Sequence, residues 1–430
     1  MEPASSERVG HLARRLERSS RFMEQVSRDL DEVELRTQYD LEFSPIGWHL
    51  GHVAWQEEWW IARRFGRRPA LDERLDHVFD AFRPNKGERG QSIPSASRIA
   101  EYRAEVRAAT LELLPELCAE RDGLMCGAGL CRFIANHESQ HTETVLAIRL
   151  AAGLFLASEA SPNENTPITD RASYVTIPEA RVVMGSDHDE DGWDNERGEH
   201  EVQVPSFQLR RTPVTNGEWL EFVAAGGYTE DAYWSAAGRA WKRQRGIRFP
   251  LYWREHGQGS FWERTLSGDQ PLGSSQPVCH VSWYEAEAYA RFAGARLPSE
   301  REWERVAGWG ANEKRRYPWG NQPEPGIDWA LERPIRAAVG SAPHGASESG
   351  VLDLSGGVWE WTEDVFAPYT GFTPQAYEGY SQPWFDGRHR VARGGSYVTQ
   401  PELARSSFRN WYSPEMRLPF LGVRLARDAA

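Results

Sequence analysis

Two rhythms of apolar and polar positions divide the chain. Up to about residue 155, apolar residues recur at steps of three and four, as in Val9, Leu12, Leu16 and then Phe22, Val26, Leu30. That is the period of a helix with one buried face. The stretches 45–65, 99–120 and 130–155 repeat it with polar faces between, and four long helices predict an up-down bundle. The connection 67–97 carries Pro69, Pro84, Gly87, Gly90 and Pro94, too many breakers for a helix. A loop of that length usually serves function.

From Tyr174 onward the rhythm changes. Short apolar runs (YVTIPEARVVMG, HEVQVPSFQL) alternate with Gly/Pro turns, and only 215–224 and 283–292 look helical, with a third candidate at 299–307. Thr215 and Ser299 are suited to N-caps, and SEREWE puts acids in the first turn after Ser299. Between the halves lies SEASPNENTPITDRAS, a linker composition. The expected organisation is a helical bundle over 1–158, a linker over 159–173 and a loop-rich second domain over 174–430.

Composition narrows the functional classes. A chain of 430 residues exceeds one hydrophobic core. Its net charge of -13 argues against nucleic acid or an anionic membrane surface, which select for clustered Lys and Arg. The start of the chain has no signal-peptide core, and the longest apolar stretch, 146–157, is short and interrupted by Arg149, so no membrane association and a cytoplasmic location are expected. Cys118, Cys126, Cys131 and Cys279 lack the spacing of a disulfide scaffold or zinc ribbon and read as reduced thiols. Nineteen tryptophans, mostly beyond residue 190, predict aromatic packing in the second half.

The strongest chemical signal is HESQHTET, where His137 and His141 lie four apart on a predicted helix. That spacing puts both imidazoles on one face, able to share a metal. With Glu138 the motif reads literally as HExxH, so a zinc hydrolase is one reading. A second pair, His49 and His52 in WHLGHVAWQEEWW, offers a third ligand from another helix, and the spacing alone does not choose between them. Such imidazole sets suit iron, copper or zinc.

The strings PVTNGEWLEFV, PVCHVSWYEAEAYARFAGARLPSEREWERVA, YPWGN, LSGGVWEWTEDVF, RVARGGSY, SSFRNWYSPEMR and LGVRLARD resemble, in order, the formylglycine-generating-enzyme or sulfatase-modifying-factor domain. That resemblance implies a C-type-lectin-like arrangement with little regular structure. Formylglycine-generating enzymes bind copper through cysteines where this chain has Ser406 and Ser407, so that activity is not expected. With SPIGWHLGHVAWQEEWW and HESQHTET in a DinB-like bundle ahead of it, the whole chain is similar to the ergothioneine sulfoxide synthases and selenoneine synthases. The implied fold class is α+β multidomain: a DinB-like four-helix bundle plus a formylglycine-generating-enzyme-like domain.

The resemblance implies a non-haem Fe(II) enzyme that uses O2 to join sulfur or selenium to the imidazole of hercynine, the trimethylated betaine of histidine. It carries the metal ligands over to His52, His137 and His141. Gln140 matches a glutamine that hydrogen-bonds the substrate imidazole, and Asn410 and Trp411 match residues that hold the betaine end, the latter by a cation–π contact. Tyr377, with Tyr380 as a second candidate, resembles the tyrosine that donates a proton or hydrogen atom during O2 reduction. A structural Ca2+ is a further candidate, at the acidic loop 187–194 or near LSGGVWEW.

The donor is where the chain departs from the pattern. Members that use gamma-glutamylcysteine carry an acid directly after FRNW and an arginine four residues on. Here those positions are Tyr412 and Met416, and Arg417 is out of register by one. Arg83 and Arg89 in the long loop remain candidates for meeting a carboxylate. An acceptor pocket that has exchanged charges for Tyr and Met should disfavour a charged donor on desolvation grounds. The expectation leans to selenoneine synthesis from a selenosugar, with ergothioneine sulfoxide synthesis from gamma-glutamylcysteine or cysteine as the alternative. A zinc hydrolase or thiol transferase of DinB type is the more distant one.

Overall fold

The computed structural model describes residues 6–157 and 173–429, apart from 84, 258, 311–312, 323–334 and 378. The predicted linker 159–173 therefore lies outside the described residues except for Ser173. Two compact units separate at 156/157.

The first unit is built on four long helices, Ser6–Gln25, Ile46–Glu57 with a π-helical continuation Glu58–Phe65, Ala96–Ala119 and Ala128–Ala152. Their direction differs from the expected up-down alternation. Ser6–Gln25 runs parallel to Ala128–Ala152, because Arg15 bonds Asn136, Ser19 bonds Glu138 and Arg149 bonds Asp29 in ascending order. The second and third long helices are likewise parallel, Leu50 meeting Arg103 and Glu57 meeting Arg107. The order is up-down-down-up. Parallel neighbours need a connection as long as a helix, and the proline-rich stretch 67–95 supplies it.

That stretch is not wholly irregular, as its breakers implied. It holds two short helices, Arg74–Phe79 and Arg89–Ser92, and a 3-10 turn at Lys86–Glu88. Pro94 falls just past the end of Arg89–Ser92, where a missing N–H costs nothing.

The second unit has little regular structure. Among the described residues its strands form a four-stranded sheet in the order Asn410–Tyr412, Arg390–Arg393, Trp359–Val365, Leu421–Gly422, the last pair parallel, and three smaller antiparallel sheets. Four helices accompany them: Asn216–Ala224, Ala236–Arg245, Trp283–Phe292 and Glu300–Gly308. The expected N-caps are present as complete capping boxes, Thr215 with Glu218 and Ser299 with Glu302. The helix Ala236–Arg245 was not legible from the apolar pattern. The core joins Ile177, Phe207 and Leu209 to Trp303, Val306 and Leu354. Buried ion pairs tie the loops together, among them Arg393 with Glu300 and Glu304, Arg409 with Glu300, and Arg424 with Glu360.

Candidate metal centre

All twelve residues of Ile46–Glu57 are buried, so this helix has no solvent face and presents side chains to neighbours all round. It crosses Ala128–Ala152 antiparallel: Trp60 meets Phe133, His52 meets His137 with ring centroids 5.3 Å apart, and His49 meets His141 at 5.0 Å. Both histidines of the first motif therefore face the second, where the sequence had offered one of them. One ring nitrogen from each of His52, His137 and His141 lies within 4.8 Å of the others. Since metal–imidazole bonds are about 2.1 Å long, one cation is within reach of all three after small side-chain adjustments.

The chemistry of the donors fits a cation. Burial drives all four imidazoles below the ordinary histidine value, His49 to about 3 and His52 to about 4, with His137 and His141 shifted the same way. They stand neutral near pH 7, the form that binds metals. His52 is also oriented: its Nδ1–H donates to the Phe79 carbonyl at 2.7 Å, leaving Nε2 as the free lone pair. Its ring stacks on Trp48 at 4.4 Å, and Trp48 is itself anchored through Nε1 to the Val78 carbonyl.

Gly51 makes this arrangement fit. A Cβ there would stand 2.0 Å from the Phe79 ring, whose side chain is fully buried. Gly51→Ala must push Phe79, and the carbonyl that orients His52, out of place. The expected result is a loss of about 10- to 100-fold in metal affinity together with about 1–3 kcal/mol of stability from overpacking. Anaerobic Fe(II) titration and urea unfolding measure the two effects, and unchanged affinity would show that the Phe79 contact does not orient the ligand.

Glu138 does not belong to the cluster. The helix turns 100° per residue, which carries its carboxylate away from the imidazoles and into the bundle core. There it accepts from Arg103 at 2.9 Å, Arg107 at 3.2 Å and Ser19 at 2.7 Å. Burial would raise this carboxyl, but Arg107 and Arg103 outweigh it and hold it below its ordinary value. The general base that an HExxH hydrolase needs beside the metal is therefore engaged elsewhere.

Gln140 is half-buried on the turn between His137 and His141. Of the two loop arginines, Arg83 is exposed and paired with Asp80, whereas Arg89 is buried, bonded to Ser44 and the Ala81 carbonyl, with its guanidinium 4.0 Å from the Trp48 ring. Arg89 thus lies in the wall beside the histidines. Arg83 does not.

In the second unit, the strand Asn410–Tyr412 is the edge of the four-stranded sheet. Trp411 projects opposite to its two neighbours and stacks on Phe366 at 4.3 Å, with Tyr380 edge-on at 5.4 Å. Asn410 donates through Nδ2 to the Tyr412 hydroxyl at 2.8 Å, a pairing that residue identity alone did not reveal. Tyr380 is buried against Trp193 at 4.0 Å, whereas Tyr377 is half-buried. Met416 closes a turn onto Ser413. Arg417 is held by Glu285 and the Phe249 carbonyl, so it does not stand in for the arginine missing at 416.

Carboxylates of the acidic loop are engaged by protein donors. Asp187 accepts from the Gly198 and Glu199 amides, Asp189 and Asp191 pair with Arg316, and Asp194 accepts from Ser381 and the Gln375 amide. Asp194 thereby pins the segment carrying Tyr377 and Tyr380. In LSGGVWEW, Glu360 is bound by Arg424 and Trp303. Ser406 and Ser407 donate to the Ala307 carbonyl and to Glu196, so both hydroxyls serve the packing of the loops. Among the described residues the three histidines are the one cluster with metal-binding geometry.

Comparison with known proteins agrees with this division. The DinB superfamily profile matches residues 15–145 and the sulfatase-modifying factor enzyme 1-like domain matches 158–429. A hercynine oxygenase of Mycobacterium tuberculosis is 40% identical over 97% of this chain and 98% of its own length. One of Mycolicibacterium thermoresistibile is 39% identical over 93% and 91%. A formylglycine-generating enzyme of Streptomyces coelicolor is 30% identical over 64% of this chain and 95% of its own. With both domains matched in order and the bundle histidines gathered in one cluster, the chain belongs to the hercynine oxygenase family, the ergothioneine sulfoxide synthases and their relatives.

Proposed function

We propose that this protein is a non-haem Fe(II)- and O2-dependent oxidoreductase that forms a carbon–chalcogen bond on the imidazole of hercynine, with a selenosugar as the donor. The observation that carries the reading is the neutral cluster of His52, His137 and His141, two of its rings buried and the third half-buried, in a chain of this family. Bound iron would supply the one-electron chemistry that O2 requires and bring the reactants side by side. The chain's own residues do the rest. His52, His137 and His141 hold the cation, and Gln140, within one turn of two of them, is suited to hydrogen-bond a substrate imidazole.

On the second unit, Trp411 presents an aromatic ring backed by Phe366, the kind of surface that attracts a quaternary ammonium. Tyr377 is the better candidate for the proton or hydrogen-atom donor, since Tyr380 is packed between Trp193 and Trp411. The donor preference rests on Tyr412, tied to Asn410, on Met416, and on Arg417, whose charge Glu285 already uses. A gamma-glutamylcysteine carboxylate or amine brought to that strand would lose water without gaining an opposite charge. Among the described residues no helix is long and apolar enough to cross a membrane, and a cytoplasmic location fits reduced cysteines and oxidation-sensitive Fe(II).

The test is anaerobic loading with Fe(II), then O2 with hercynine and, in separate reactions, a selenosugar, gamma-glutamylcysteine and cysteine. The selenosugar should give the fastest carbon–chalcogen product. Product from gamma-glutamylcysteine alone would return the chain to ergothioneine sulfoxide synthesis, and no product from a fully loaded site would overturn the reading. Tyr412→Asp with Met416→Arg should raise turnover with gamma-glutamylcysteine.

A further inference from the structure

The first histidine of WHLGH has no role in the reaction described so far, yet it is 6% exposed and its Nδ1 lies 2.8 Å from Nδ1 of His141. The antiparallel crossing explains the contact. His52 sits level with His137, so His49, one turn back along its helix, arrives level with His141, one turn forward along the other. The ring is further steadied by Trp48, edge-on at 5.3 Å.

A hydrogen bond between two Nδ1 atoms needs one to carry the proton. If His49 donated, His141 would keep its own proton on Nε2 and have no lone pair there. If His141 donates from Nδ1, its Nε2 is free and His49 accepts. A cation bound to His141 Nε2 selects the second arrangement, and a withdrawn lone pair makes the Nδ1–H a stronger donor.

We propose that His49 is a positioning residue of the metal centre, accepting the Nδ1–H of His141 and so fixing that ring with Nε2 toward the cation. It does for His141 what the Phe79 carbonyl does for His52, with a side chain in place of main chain. The inference rests on the three-histidine site proposed above and adds a fourth histidine that does not itself bind the ion.

The experiment titrates Co(II), a spectroscopic stand-in for Fe(II), into the full-length metal-free protein under anaerobic conditions and follows the visible absorption of the bound ion. Thermal unfolding checks that each variant is folded. His49→Ala should bind one Co(II) about 10- to 100-fold more weakly with a shifted ligand-field spectrum. His49→Asn, whose amide oxygen can accept the same bond, should recover most of both. Binding and spectrum identical to wild type in His49→Ala would overturn the inference while leaving the three-histidine site intact. Complete loss in His49→Ala with full retention in His52→Ala would overturn it by making His49 a ligand. A wild-type protein that binds no Co(II) or Fe(II) would instead remove the proposed function itself.

Discussion

On the proposed three-histidine site, His137→Ala should leave a folded bundle that no longer retains the metal and no longer turns over. Loss of a residue that merely orients a ligand weakens metal binding by about 10- to 100-fold, and loss of a ligand itself should exceed that. The ring of His137 lies 5.3 Å from that of His52 and 4.4 Å from that of His141. Its other face stacks on Phe133 at 5.7 Å, so alanine leaves an apolar gap and not a buried charge. Iron content after anaerobic loading and gel filtration, together with product formation from hercynine, are the measurements. Normal turnover in His137→Ala would mean that the bundle is only structural and that the lectin-like domain acts alone.

The second large effect is expected at the adjacent residue, and on stability in place of chemistry. Glu138→Ala removes the carboxylate shared by Arg103 and Arg107, both nearly buried. Arg107 keeps Glu57 at 2.8 Å, but Arg103 is left facing main-chain and hydroxyl acceptors. Breaking a buried pair by deleting one partner costs about 3–5 kcal/mol, read as a lowered urea midpoint. Glu138→Gln, which keeps the hydrogen bonds to Arg103 and Ser19 in part, should fold and take up metal to the same extent as the parent. A folded, metal-loaded Glu138→Gln with no activity would restore the HExxH reading, in which that carboxylate is the general base.

The two residues differ in how plainly the sequence announced them. The i, i+4 spacing placed His137 and His141 on one face without further information. It was silent about Glu138, because HExxH describes a string and the 100° step between neighbours decides which way each member points. His49 and His52 could not be separated by pattern, since Ile46–Glu57 is buried on every side and no polar face marks an outside. The direction of the helices was also hidden. Periodicity gives a helix's buried face but not its sense, and the clue to the parallel pair was the length of the 67–95 connection.

In the second unit the helices with apolar stripes and Ser/Thr caps were legible, as Thr215 and Ser299 show. Ala236–Arg245 was not, because Trp241 is the one large apolar side chain that it buries. Its punctuation was present nonetheless: Ser235 caps the start, and Gly246, in the left-handed region at φ 62°, ends it. The Asn410–Tyr412 bond spans two residues on one face of a strand, a relation that period-two alternation permits but does not require. Motif resemblance, more than local physics, brought Asn410 and Trp411 to notice.

The Phe79 carbonyl that orients His52 has a genetic consequence. A main-chain acceptor is encoded by no particular codon, so a saturation scan at position 79 would report the packing of a buried ring and stay silent about the hydrogen bond. Sensitivity should appear one helix away, at Gly51, where every replacement adds an atom in the space the ring occupies. A map of intolerant positions would then show a glycine with no chemistry of its own beside a histidine, and the group that steers the metal site would be missing from it.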